Sequence, residues 1–112
     1  IFLFTKNKDY LYNEKEIMQP TVDGLELKHM KDVWTINTAQ SPDSHFAVFP
    51  SKIPELCIKA GSNKEDIILD PFMGSGTTAL VAQKLSRKWI GIELNENYAE
   101  IIIRQTAQGE LF

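Results

Sequence analysis

The two halves of the chain carry different patterns of apolar and polar positions. From Ile67 onward the pattern is regular. Ile67-Ile-Leu69 is a short, wholly apolar run, as expected of a strand buried on both faces of a parallel sheet. Leu80, Val81 and Leu85 then recur at helical spacing, which predicts a helix from Thr77 to about Ser86 with those side chains inward. Trp89-Ile-Gly-Ile92 reads as a second strand ending on Glu93. Asn95 fits the N-cap of a last helix to about Gln108, with Tyr98, Ile101, Ile102 and Gln105 on one stripe. Strand, helix, strand, helix predicts a right-handed crossover between parallel strands.

The first half is less periodic. Ile1-Phe-Leu-Phe-Thr5 and Tyr10-Leu-Tyr12 read as a β-hairpin around the turn-forming Lys6-Asn-Lys-Asp9. Asn13 to Ser44 holds Pro20, Asp23-Gly24 and Ser41-Pro42 and reads as loop, with a short strand at Val33-Trp34-Thr35-Ile36. A helix is expected from about Pro54 to Ala60, with Pro54 in its first turn and Gly61 at its C-terminal cap. Leu56, Cys57 and Ala60 share one of its faces, so Cys57 is expected in the core. The fold class is α/β: a parallel sheet with flanking helices, preceded by the hairpin. Two parallel strands do not make a stable sheet, so this is part of a doubly wound fold, completed by more of a longer protein or by a second chain.

Composition narrows the class without naming a function. The 112 residues suffice for one small domain, and 43% hydrophobic with 24% charged residues is ordinary for a globular one. A net charge of −3 excludes a chain that binds polyanions as a whole. No apolar run approaches the roughly 20 residues of a membrane span, and no secretory signal opens the chain. The single Cys57 excludes an internal disulfide and suits a reducing cytoplasm. Ile1 stands first in place of Met, consistent with a piece of a longer protein.

The candidate chemistry sits in Asp70-Pro-Phe-Met-Gly-Ser-Gly-Thr-Thr78, directly after a strand and opening a helix. Gly74 and Gly76 allow positive φ and a close backbone approach, and the free N–H groups of the helix start attract an anion. Asp70 puts a negative charge where a ligand ammonium would sit. Glu93 is placed to accept hydrogen bonds from ribose hydroxyls. A zwitterionic amino acid joined to a nucleoside matches all three features. Gly74-Ser-Gly76-Thr-Thr-Ala79 also fits the dinucleotide pattern, although Asp70 would repel a pyrophosphate. The P-loop reading fails, because Gly76 is followed by Thr77 and not by Lys.

This turn, with Trp89-Ile-Gly-Ile-Glu-Leu-Asn-Glu-Asn-Tyr98, resembles the cofactor-binding motifs of the N4-cytosine and N6-adenine DNA methyltransferases. The resemblance is strongest to the permuted group in which the catalytic half comes first. His45-Phe-Ala-Val-Phe-Pro50 and Ile53-Pro-Glu-Leu-Cys-Ile58 are similar to the family's segment and helix ahead of the glycine turn. Ile1 to Lys6, Tyr10 to Asn13 and Val33-Trp34 resemble the region between its target-recognition and cofactor parts. The resemblance covers nearly the whole chain. It implies a partial Rossmann-like fold, with residues 1–44 leading into an S-adenosylmethionine-binding part at 45–112.

By that resemblance Asp70 meets the cofactor ammonium, Glu93 its ribose, and Phe46, Phe49 and Pro50 its methionine part. Phe72, Gly74, Ser75, Gly76 and Thr77 line the turn side of the cofactor. His45 is a ligand contact or a satisfied polar residue in a turn; His29 is a surface residue. The family's catalytic Asp/Ser-Pro-Pro-Tyr/Trp tetrapeptide does not occur in the chain, whose one Asp-Pro pair is Asp70-Pro71. No catalytic residue is therefore assigned. The implied parent binds double-stranded DNA, with no membrane association. Alternatives are a fragment of an RNA guanine N-methyltransferase, or the non-catalytic cofactor-binding subunit of a split enzyme. The tail Gln108-Gly-Glu-Leu-Phe112 has a Gln-x-x-Leu-Phe pattern that suits a sliding clamp, with packing on its own domain as the competing reading.

Overall fold

A computed structural model describes residues 1–37 and 49–109. His45 and Phe46 lie outside the described residues, as do Leu111 and Phe112 of the clamp-like tail. The elements are a short 3-10 helix Glu14–Ile17, strands β1 (Gln19–Pro20) and β2 (Leu27–Lys28), helix α1 (Lys52–Gly61), strand β3 (Ile67–Asp70), helix α2 (Thr77–Lys84), strand β4 (Lys88–Gly91) and helix α3 (Glu96–Gly109).

The second half follows the apolar pattern. β3 and β4 are parallel neighbours, with Ile68 opposite Trp89 and Leu69 opposite Ile90. Ile68 and Trp89 pack on Ile58 of α1 and on Val81 and Ala82 of α2. Trp89 also joins Met73, Ala79 and Ile102, which ties α3 to the same side of the sheet. Side chains alternate across a strand. The opposite face, Ile67, Leu69, Ile90 and Ile92, is therefore bare at 61, 61, 52 and 58% exposure.

The end of α2 and the inward stripe of α3 differ from expectation, and α1 runs through Gly61 to a cap at Ser62. α2 ends at Lys84 because the chain turns out of the helix at Ser86, whose φ is +60°. Leu85 still reaches the core from the cap. α3 begins after Asn95, whose Oδ1 accepts the Asn97 N–H at 3.0 Å, the expected N-cap bond. Its stripe contains Ile102 with Tyr98 and Ile101, but Gln105 is exposed and Thr106 is half-buried instead. Thr106 lies one turn beyond Ile102, and its carbonyl accepts the Gln83 amide of α2 at 3.2 Å.

The first half departs further. No strands form at residues 1–5, 10–12 or 33–36. Ile1 to Phe4 are exposed, and a strand without a ladder partner or a surface to cover gains nothing. The antiparallel ladder falls instead at β1 and β2, where Gln19 faces Lys28. Its turn is held by Thr21, whose backbone N–H reaches the Glu26 carbonyl at 2.8 Å, and by the Asp23 carboxylate, which accepts the Leu25 N–H at 3.2 Å. Cys57 is also misplaced by the helical pattern. α1 buries Pro54, Leu56 and Ile58, and Cys57 stands on the rim of a groove.

Candidate functional site

The site is built at the carboxyl ends of two neighbouring parallel strands. Asp70 is the last residue of β3 and lies opposite Gly91, the last of β4, with Glu93 two residues on. The Asp70 Oδ1 accepts the Phe72 N–H at 3.0 Å, an Asx turn that folds the chain back at Pro71. The Met73 N–H then reaches the Ile92 carbonyl at 3.0 Å, and the Gly74 N–H reaches Oε2 of Glu93 at 2.8 Å. The turn is thus stitched along the segment that follows β4.

Gly74 and Gly76 have φ of +57° and +94°, and the two differ in surroundings. A Cβ on Gly74 would meet open space, so its backbone is open to a ligand. A Cβ on Gly76 would lie 2.8 Å from Ile102 Cγ1, so this glycine lets α3 pack onto the start of α2. Gly76 also caps α2, its carbonyl accepting the Leu80 N–H at 3.0 Å. Glu93 closes the other side. Its Oε1 accepts the Asn95 N–H at 2.8 Å while Oε2 holds Gly74.

Beside Asp70 runs a groove of about 360 Å³, lined by Phe49, Ile53, Cys57, Leu69, Asp70 and Thr78 among others. It brings together two of the residues singled out from sequence, Phe49 and Asp70. Pro50 is half-buried just before α1 and does not line the groove. Ser75 and Thr77 are half-buried in the turn, and Phe72 projects outward at 88% exposure. Ile53 and Cys57 belong to the helix segment that the resemblance marks, and Thr78 closes the glycine motif, but none of the three stands among the individually expected ligand residues. Burial pushes the Cys57 thiol above its ordinary range, the opposite of what a reactive thiolate needs.

A family model described as DNA methylase, for the N6 and N4 methyltransferases, matches residues 1–104. The chain belongs to this DNA methylase family. It is 49% identical over 102 residues to the type II methyltransferase M.SmaI of Serratia marcescens, covering 90% of this chain and 35% of that protein. It is 37% identical over 110 residues to M.Cfr9I of Citrobacter freundii, covering 98% of this chain and 36% of the relative. The chain therefore spans about a third of the length of these relatives. Among solved structures, an M1.HpyAVI–SAM complex matches 87% of this chain and 43% of its own, at 29% identity and a TM-score of 0.62. The PvuII cytosine-N4-specific DNA methyltransferase matches 61% of this chain and 28% of its own, at 34% identity and a TM-score of 0.54. These likenesses make the α/β arrangement that of a DNA methyltransferase of this family.

Proposed function

We propose that this chain is the S-adenosylmethionine-binding portion of a DNA methyltransferase that acts on an exocyclic amine, adenine N6 or cytosine N4. The observation that carries the reading is the pair of carboxylates, Asp70 and Glu93, flanking the glycine turn at the carboxyl ends of adjacent parallel strands. Ligands of open α/β sheets bind outside those ends.

The donors and acceptors present fit a methionine-type nucleoside better than a dinucleotide. A pyrophosphate would face two carboxylates, and the Gly74 N–H that would receive it is already held by Glu93. Asp70 suits an ammonium, and Glu93 suits ribose hydroxyls through its remaining lone pairs. Phe49 and Ile53 offer apolar cover along the groove beside Asp70. When bound, the cofactor supplies an electrophilic methyl group on a sulfonium. The chain's own share is to orient that ligand and to shield part of it from water.

An exocyclic amine is a weak nucleophile, because its lone pair is delocalised into the ring. Its methylation needs a base turned out of the duplex and acceptors aimed at the amino group. No Asp/Ser-Pro-Pro-Tyr/Trp tetrapeptide occurs in these 112 residues to supply them. The proposed division of labour is that cofactor binding lies here and the reacting acceptors lie elsewhere in the enzyme.

A radiolabelled methyl-transfer assay tests this. The intact enzyme is expected to label DNA and not RNA, and hydrolysis to release N6-methyladenine or N4-methylcytosine. The 112 residues alone are expected to transfer no label. Turnover by this chain alone would contradict the division of labour, and label in RNA would overturn the substrate.

A further inference from the structure

We propose that Glu93 is the positioning residue that sets the glycine turn in its binding shape, in addition to any contact it makes with a ligand. The inference rests on the cofactor reading above. Its ground is a pair of bonds that the sequence did not indicate: Oε2 accepts the Gly74 N–H and Oε1 the Asn95 N–H, both at 2.8 Å. One carboxylate therefore joins the turn after β3 to the segment that leads into α3.

The two residues differ in what else holds them. Asn95 has its own cap bond to Asn97, so the start of α3 has a second anchor. Among the described residues the Gly74 N–H has no second acceptor. Its φ of +57° lies in the left-handed region, and nothing stands within 4 Å of its Cβ position. The neighbouring turn residues are fixed independently, Met73 by the Ile92 carbonyl and Gly76 by the Met73 carbonyl. Glu93 is thus what pins the middle of the turn. A carboxylate accepts about four hydrogen bonds, so two lone pairs stay available for a diol while the backbone bonds persist. Diol recognition and turn geometry are coupled through one side chain, without a rearrangement.

The coupling has a signature that a plain ribose contact lacks, because it exists before any ligand binds. Residue-resolved amide hydrogen exchange on the ligand-free full chain reads it, in wild type, Glu93→Ala and Glu93→Gln. Charge-assisted bonds of this kind are strong enough that the Gly74 amide should exchange about 10-fold faster or more in Glu93→Ala. The Asn95 amide, which loses the same acceptor, should also exchange faster, and the Gly76 amide should not change. Glu93→Gln keeps a single acceptor oxygen, so only one of the two amides should retain protection. That variant also serves as the folded control if Glu93→Ala is unstable. Unchanged Gly74 exchange in a folded Glu93→Ala, or unchanged protection of both Gly74 and Asn95 in Glu93→Gln, overturns the proposal. A parallel titration with S-adenosylhomocysteine separates the two claims. Lost binding in the variants with unaltered Gly74 exchange overturns the positioning role and leaves the cofactor reading standing. Wild type that protects Gly74 yet fails to bind the nucleoside supports the positioning role and overturns the cofactor reading.

Discussion

At the scale of single residues, the turn divides its labour among side chains that look alike in the sequence. Asp70 and Glu93 are both strand-end carboxylates. Asp70 makes one local bond to Phe72 and borders the groove, whereas Glu93 spends both oxygens on backbone amides. Gly74 and Gly76 read as a matched pair, yet one faces open space and the other α3. The sequence made the identity of these residues legible because the motif is dense. It could not separate their roles, since those depend on Ile102 and Asn95 approaching from other elements. Cys57 illustrates the opposite failure. Its helical position suggested burial in the core, but the stripe of α1 that packs inward is the one through Pro54 and Ile58. The folded state holds the thiol proton more tightly than the unfolded state, so any stability from Cys57 is complete below the ordinary thiol range and falls as pH rises through it. We expect Cys57 to react with iodoacetamide more slowly than a free thiol near pH 8, gaining rate only at higher pH. A rate equal to that of free cysteine would show that the groove does not desolvate it.

At the scale of elements, helices and parallel strands were readable because each carries its own periodic signal and its own caps. The regions that failed were those that rely on partners. Residues 1–5 have strand-like composition, but no ladder forms there, and β1–β2 forms where Thr21 and Asp23 fold a tight turn. The C-terminal end of α1 is held by groups from distant segments. Asn13 donates its backbone N–H to the Ala60 carbonyl at 2.7 Å, and Arg87 reaches the Ser62 carbonyl at 2.8 Å. Neither partnership leaves a trace in local sequence. The packing of α3 on α2 gives a sharp test at this scale. Gly76→Ala adds a methyl group 2.8 Å from Ile102 and forces an L side chain to φ +94°. We expect a loss of about 1–3 kcal/mol in chemical denaturation, from strained backbone and overpacking together. Gly74→Ala meets no such contact and should cost less in stability than in ligand binding. Equal denaturation midpoints for wild type and Gly76→Ala would mean that α3 does not sit as described.

At the scale of the whole molecule, the dominant feature is a sheet that the described residues cover on one side only. The sequence indicated apolar residues on both faces of β3 and β4; the structure assigns Ile68 and Trp89 to the core and leaves Ile67, Leu69, Ile90 and Ile92 bare. Burying each of those large side chains would stabilise the fold by about 1.5–3 kcal/mol. We therefore expect this face to be covered in the intact enzyme, by further chain or by a partner. Ile90→Lys should make the 112 residues alone more soluble while destabilising the intact enzyme by about that amount. A stability of the intact enzyme indifferent to Ile90→Lys would contradict a covered face.

The central claim is that the ends of β3 and β4 hold S-adenosylmethionine, with Asp70 facing its ammonium. Calorimetric titration of S-adenosylhomocysteine into the intact enzyme, wild type and Asp70→Ala, tests it most directly. A charge-assisted bond contributes roughly 1.5–3 kcal/mol, so the account predicts binding by wild type and an affinity at least about 10-fold weaker in Asp70→Ala. Equal affinities for the two proteins would contradict it.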